Sequence, residues 1–260
     1  MSAPSSDPLP LTAHLVELRQ RLIYAFVAMA LGTAVCFVFV EQIYGILAAP
    51  LAEIMGPEDS RRLIYTGLTE AFFTYVKVAF FSGIFITFPI LLTQIWVFVA
   101  PGLYKHEKRA FLPFLIATPA LFFLGAACVY FIVIPTAWPF FLSFQSTADE
   151  TTLPIQLEAR VSEYLDLVMM LIFAFGLCFQ LPVLLTLLGM AGLVSADWLV
   201  RMRKYALIFV FVIAAFLTPP DVISQTLLAL PIMVLYECSI WLVRAFGKKR
   251  DSKTRADPRA

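Results

Sequence analysis

The residues that could do chemistry in this chain are few, and the most suggestive are carboxylates set among bases. Glu17 lies in Leu11–Leu22 (LTAHLVELRQRL) and Glu107 in Tyr104–Arg109 (YKHEKR). If the first segment is helical, His14, Glu17, Leu18 and Arg21 share one face, at i, i+3, i+4 and i+7. Glu17 then has a bland role available, a surface pair with Arg21 worth a few tenths of a kcal/mol. Glu107, beside His106, Lys108 and Arg109, likewise reads as a solvated loop residue. The alternative is that the two acids have a functional role. No HExxH, GxSxG or Gly-rich phosphate loop accompanies them, so the expectation is a non-enzyme without a cofactor. The two histidines and four cysteines form no CxxC or Cys/His cluster, and no metal site is expected. Cys36, Cys128, Cys178 and Cys238 fall in apolar segments and read as buried, reduced thiols.

The elements that position these residues are dictated by composition. Of 260 residues, 61% are apolar and 14% charged, against about half and a quarter in a soluble domain. Apolar runs recur at 22–40, 71–100, 110–135, 164–190, 206–218 and 223–243, most of them near the ~20 residues that cross a hydrocarbon layer as a helix. With six spans, the pieces on one side (1–21, 101–109, 191–205 and 244–260) hold 15 Lys and Arg, and those on the other hold 3. The positive-inside rule then puts both termini in the cytoplasm. Without the short run 206–218 as a span, the seven basic residues of the tail would lie on the wrong side.

The expected fold is an all-α polytopic bundle, N-in and C-in, with short fifth and sixth helices. A cytoplasmic segment 1–21 precedes a membrane domain 22–243, and a basic tail 244–260 follows, expected to be disordered. Pro89, Pro113, Pro119, Pro182 and Pro231 fall within the runs, which predicts kinked helices and a concave bundle. Met1–Pro10 lacks the basic start and apolar core of a cleavable signal, and a bacterial inner membrane is the simplest home. Nothing supports a nucleic-acid partner.

Polar groups at membrane depth are costly and invite a role. Gln180 stands two residues before Pro182, where its amide could donate to a carbonyl that the proline frees. Glu237 has no evident partner, Lys77 is expected to snorkel outward, and Asp221 follows Pro219-Pro220 as a candidate helix N-cap. Were Lys77, Gln180 and Glu237 to converge, the chain would be a small-solute secondary transporter; no internal repeat supports that class.

Four separated blocks carry a resemblance. They are His14–Arg21 (HLVELRQR), Gln94–Arg109 (QIWVFVAPGLYKHEKR), Phe175–Val183 (FGLCFQLPV) and Leu217–Gln225 (LTPPDVISQ). Over about residues 10–245 the chain resembles the TatC family, the multispanning core of the twin-arginine protein translocase. The resemblance implies a receptor for twin-arginine signal peptides of folded cargo, working with TatA- and TatB-type single-span partners and further copies of itself. The proton-motive force supplies the energy in that family. It also implies that Glu17 and Glu107 recognise the arginine pair, that Arg19 belongs to the same site, and that Phe98 meets the peptide's apolar part. Pro50, Gln180 and Asp221 are implied as structural or partner-contact positions. Many members have Glu where Gln180 stands, and a glutamine cannot relay a proton.

Overall fold

The computed structural model describes residues 11–54, 63–103, 108–144, 158–217 and 222–256. Among them the architecture is entirely helical: α1 (Leu11–Val38), α2 (Val40–Ile54), α3 (Glu70–Leu103), α4 (Lys108–Cys128), α5 (Ile134–Leu142), α6 (Val161–Cys178), α7 (Leu181–Met190), α8 (Ala196–Leu217) and α9 (Val222–Ala256). A π-helical turn, Val129–Val133, joins α4 to α5. Five segments are long and apolar enough to cross a membrane: Leu15–Val38, Glu70–Ile95, Pro113–Leu142, Val161–Met190 and Gln225–Phe246. Large apolar side chains lie exposed along them, among them Leu31, Phe131 and Trp241, as lipid-facing helices require.

Several expectations change. The residues 41–70 were read only as a connection between spans, yet 40–54 form α2, capping one end of the bundle. The third apolar run continues as helix to Leu142. The fourth is broken at Phe179–Gln180, where Pro182 lacks the N–H that would bond Cys178. The last two helices are not short. α8 has 22 residues because its helix begins at Ala196, ten before the apolar run, with Arg201, Arg203 and Lys204 on its early turns. α9 has 35, because the tail expected to lack structure continues the helix to Ala256, with neither proline nor glycine between Gly247 and that residue. Of the thiols, only Cys36 is fully buried, and Cys238 is exposed.

Glycine decides where helices touch. A Cβ on Gly83 of α3 would lie 2.5 Å from the backbone N of Thr33, and one on Gly32 of α1 would lie 2.6 Å from Thr87 Cγ2. Thr33 meets Gly83 while Gly32 meets Thr87, so α1 and α3 cross antiparallel at backbone contact. Gly125 of α4 is packed in the same manner on the Phe175 carbonyl of α6. Around these crossings Phe85, Phe88, Phe122 and Phe173 interlock, with Phe88 stacked on Phe122 at 3.9 Å between ring centroids.

Pro50 shows how a kink is made good. Its missing N–H leaves the carbonyl of Ile46 without a helical donor. Tyr130 Oη, aimed by the π-helical turn, donates to that carbonyl at 2.9 Å, and Tyr164 Oη donates to Leu47 O, also at 2.9 Å. Pro50 and Leu51 are buried beneath. Replacing Tyr164 by Phe is expected to cost about 1 kcal/mol of stability, as loss of one half-shielded hydrogen bond does, read from thermal unfolding in detergent.

At the same end of the bundle, Glu70 gathers a loop. Its Oε2 accepts from the N–H groups of Thr66 (2.8 Å) and Gly67 (3.2 Å) and from Arg160 Nη2 (3.2 Å), while Oε1 accepts from Ser162 Oγ (2.5 Å). A parallel bridge, Ile64 N to Ala159 O and Val161 N to Ile64 O, runs beside it. Glu70→Ala strips the carboxylate from the donors gathered on it, so it lowers the melting temperature and speeds protease cleavage near Thr66; unchanged cleavage would show that the bridge alone holds the loop.

Candidate functional site

Glu17 sits on the second turn of α1. Arg21, four residues on, donates from Nε (3.2 Å) and Nη2 to the same carboxylate oxygen, Oε1. That fixes the carboxylate on its helix face, and among the described residues nothing bonds to Oε2, about a third of the side chain being exposed. An ionised carboxylate accepts some four hydrogen bonds, so a second guanidinium can be received beside the first. Arg19, two residues away and thus on a different face, is exposed.

The α1/α3 crossing sets what stands opposite. Glu17 lies fifteen residues from Gly32 and Phe98 fifteen from Gly83. At 1.5 Å per residue along antiparallel helices, both backbones reach about 22 Å from the crossing, on the same side of it. On ideal helix rise, the backbone of Phe98 stands about level with that of Glu17. Glu107 and Asp221 lie outside the described residues. Lys108, next to Glu107, begins α4.

The remaining positions lie away from this end. Pro50 is in the cap at the opposite end. Gln180, buried at the α6–α7 break, donates through Nε2 to Thr118 O of α4 at 3.0 Å. The expected partner, the carbonyl freed by Pro182, is not the one used, because the break turns the side chain across to the neighbouring helix. Thr118 lies five residues inside the apolar segment that begins at Pro113, so the glutamine ties two kinked helices within the membrane-spanning part of the bundle.

The groups that a small-solute site would unite are separated. Lys77, expected to snorkel, donates instead to Asp166 of α6 at 2.8 and 3.1 Å. Glu237 of α9 accepts from Arg203 of α8 at 2.6 Å. Gln180 meets neither. Asp166 and Arg203 escaped notice because each is one charge in or beside an apolar run, and only packing reveals its partner.

Two further contacts lock α8 to α9: Gln225 Nε2 donates to Phe211 O at 2.8 Å, and Tyr236 Oη to Leu199 O at 2.8 Å. Before them, Gly192 (φ 79°) ends α7 with a paired closure, Leu193 N to Leu188 O and Gly192 N to Gly189 O, both 3.0 Å. Ser195 Oγ then accepts from Trp198 N at 3.2 Å and starts α8. No group of three or more metal-ligating side chains occurs among the described residues.

Comparison with known proteins places these features. Residues 13–231 match the family described as Sec-independent protein translocase protein (TatC). A relative from Magnetococcus marinus, named Sec-independent protein translocase protein TatC, is 50% identical over 257 residues, spanning 99% of this chain and 92% of its own. The relative of the same name from Escherichia coli is 39% identical over 94% of this chain and 92% of its own. A crystal structure titled Twin Arginine Translocase Receptor-TatC superposes with a TM-score of 0.75 at 38% identity, covering 90% of this chain and 99% of that one. The match runs through both walls of the α1/α3 crossing and the Gln180 break, and the chain is a multi-pass membrane protein that belongs to the TatC family.

Proposed function

We propose that this chain is the signal-peptide receptor of a twin-arginine protein translocase. The observation that carries the reading is the half-used carboxylate of Glu17, oriented by Arg21 on one oxygen and open on the other, level with Phe98. In this reading the peptide's arginine pair docks on Glu17 and Glu107 with Arg19 nearby, and its apolar stretch passes Phe98. A planar guanidinium makes paired, charge-assisted bonds to carboxylate that an ammonium cannot copy, so selection is by fork geometry as well as charge.

Six spans, with 206–218 inside α8 as the fifth, put both termini in the cytoplasm of a bacterial inner membrane, supported by the 15-to-3 division of basic residues. Single-span TatA- and TatB-type subunits and further copies of the chain complete the complex, gathering where the short apolar part of α8 thins the bilayer. Pro50 and Asp221 shape the outer face for those contacts. The proton-motive force drives transport, and the chain itself catalyses no chemical step.

The test is capture by the detergent-solubilised protein of a signal peptide carrying Arg-Arg, against its Lys-Lys variant. Selective capture of the first is expected. Equal capture of both rejects fork recognition, and a scaffold without substrate contact would capture neither.

A further inference from the structure

The Lys77–Asp166 pair stands at the head of a groove that signal-peptide recognition does not use. Between α3 and α6 a furrow of about 510 Å³ is lined by Phe80, Phe81, Met169, Met170, Phe173 and Leu177. Phe80, Met170 and Leu177 are nearly half exposed, so the furrow opens sideways from the bundle. From Asp166 to Leu177 is eleven residues of α6, about 16 Å, close to half of a ~30 Å hydrocarbon layer. One end of the furrow is ionic and the rest is a methionine- and phenylalanine-lined channel one monolayer deep.

The level of the ionic end follows from the span starts. The apolar segments begin at Glu70 and Val161, so Lys77 and Asp166 lie only seven and five residues inside them, about 10 and 8 Å at 1.5 Å per residue, near one edge of the hydrocarbon layer. The pair itself is about half exposed, 54% for Lys77 and 47% for Asp166. Its hydrogen-bonding is incomplete: Lys77 spends two N–H groups on Asp166 and keeps a third, and Asp166 retains free lone pairs on both oxygens. A half-exposed ion pair facing lipid is expensive unless something polar covers it.

The geometry points to a binding site for one phospholipid with a primary-amine headgroup, of the phosphatidylethanolamine type. The lipid phosphate accepts the spare N–H of Lys77, the ammonium donates to Asp166, and one acyl chain lies in the furrow. A cation and an anion side by side match a zwitterion that carries N–H donors. A choline headgroup has no N–H for Asp166, and an anionic headgroup without an amine meets the carboxylate's negative charge unrelieved.

The site is tested on the purified full chain by native mass spectrometry in micelles holding equal amounts of phosphatidylethanolamine, phosphatidylcholine and phosphatidylglycerol. The wild type is expected to retain a phosphatidylethanolamine adduct roughly tenfold over phosphatidylcholine. Asp166→Asn, which keeps size and Lys77, moves the preference to phosphatidylglycerol. Lys77→Met with Asp166→Leu removes it, and Arg203→Met with Glu237→Leu, at the ion pair between α8 and α9, leaves it intact. Equal retention of the three lipids, or a phosphatidylethanolamine preference that survives Asp166→Asn, overturns the site. So does crosslinking of Ala174→Cys in membranes to a single-span partner helix, which would make the furrow a protein interface.

Discussion

Glu17→Ala is expected to reduce capture of an Arg-Arg signal peptide by at least about 30-fold, corresponding to the ~2 kcal/mol or more lost when one partner of a shielded, hydrogen-bonded charge pair is truncated. The cause is not the Glu17–Arg21 contact, which as a partly exposed i, i+4 pair is worth a few tenths of a kcal/mol to the fold. Melting of the variant should therefore stay within a degree or two of wild type while capture collapses. Glu17→Gln separates the contributions further, since it keeps an acceptor and loses the charge. Its capture should fall between wild type and alanine, and a Gln variant with full affinity would remove charge from the recognition mechanism. Equilibrium binding of a labelled peptide at fixed ionic strength checks each outcome, because exposed charges weaken with salt.

Gly83→Leu is expected to be the most damaging single change in the bundle. Even the first carbon of the new side chain would stand 2.5 Å from Thr33 N and 2.6 Å from Thr33 Cα, and backbone has no rotamer with which to retreat. Overpacking typically costs 1–3 kcal/mol, and with a whole leucine to place at backbone contact the cost should be roughly 3 kcal/mol or more. The effect also reaches the site. With Glu17 about 22 Å from the crossing, a rotation of about 5° there moves its backbone by roughly 2 Å relative to α3. Peptide capture should thus drop in any fraction that still folds. Gly45 of α2 supplies the control, since a Cβ there meets nothing within 4 Å. Gly45→Ala should be neutral or stabilise by roughly 0.5–1 kcal/mol. Thermal unfolding in one detergent, with both variants side by side, distinguishes crossing contact from a general intolerance of side chains.

Long apolar runs were legible because burial in lipid writes them, and α3 and the α6–α7 pair overlap the runs 71–100 and 164–190 with ends that differ by up to three residues. Helix α2 was not legible. Glu41, Gln42 and Glu53 break its apolar pattern, and its length of 15 residues matches no span. The starts and ends of α8 and α9 were hidden for a related reason: polar helix beyond the membrane leaves no hydropathy signal, and only a cap such as Ser195 marks its start. Pairings across helices were the other blind spot. Lys77 and Asp166 are 89 positions apart, and Arg203 and Glu237 are 34 apart, so no local spacing connects them. At the candidate site the sequence pattern identified Glu17, Arg21 and the helix that carries them. What it could not supply is that Arg21 occupies only one carboxylate oxygen, and that the glycine crossing sets Phe98 level with it.

The central claim is that Glu17 and Glu107 together grip one arginine pair. Site-specific photocrosslinking from Val16 and from Lys108, the neighbours of the two acids, to a signal peptide tests it without requiring transport. Both positions are predicted to crosslink beside the arginine pair of the same peptide, and both crosslinks are predicted to vanish with the Lys-Lys peptide. A crosslink from only one position, or crosslinks that persist unchanged with Lys-Lys, would contradict it.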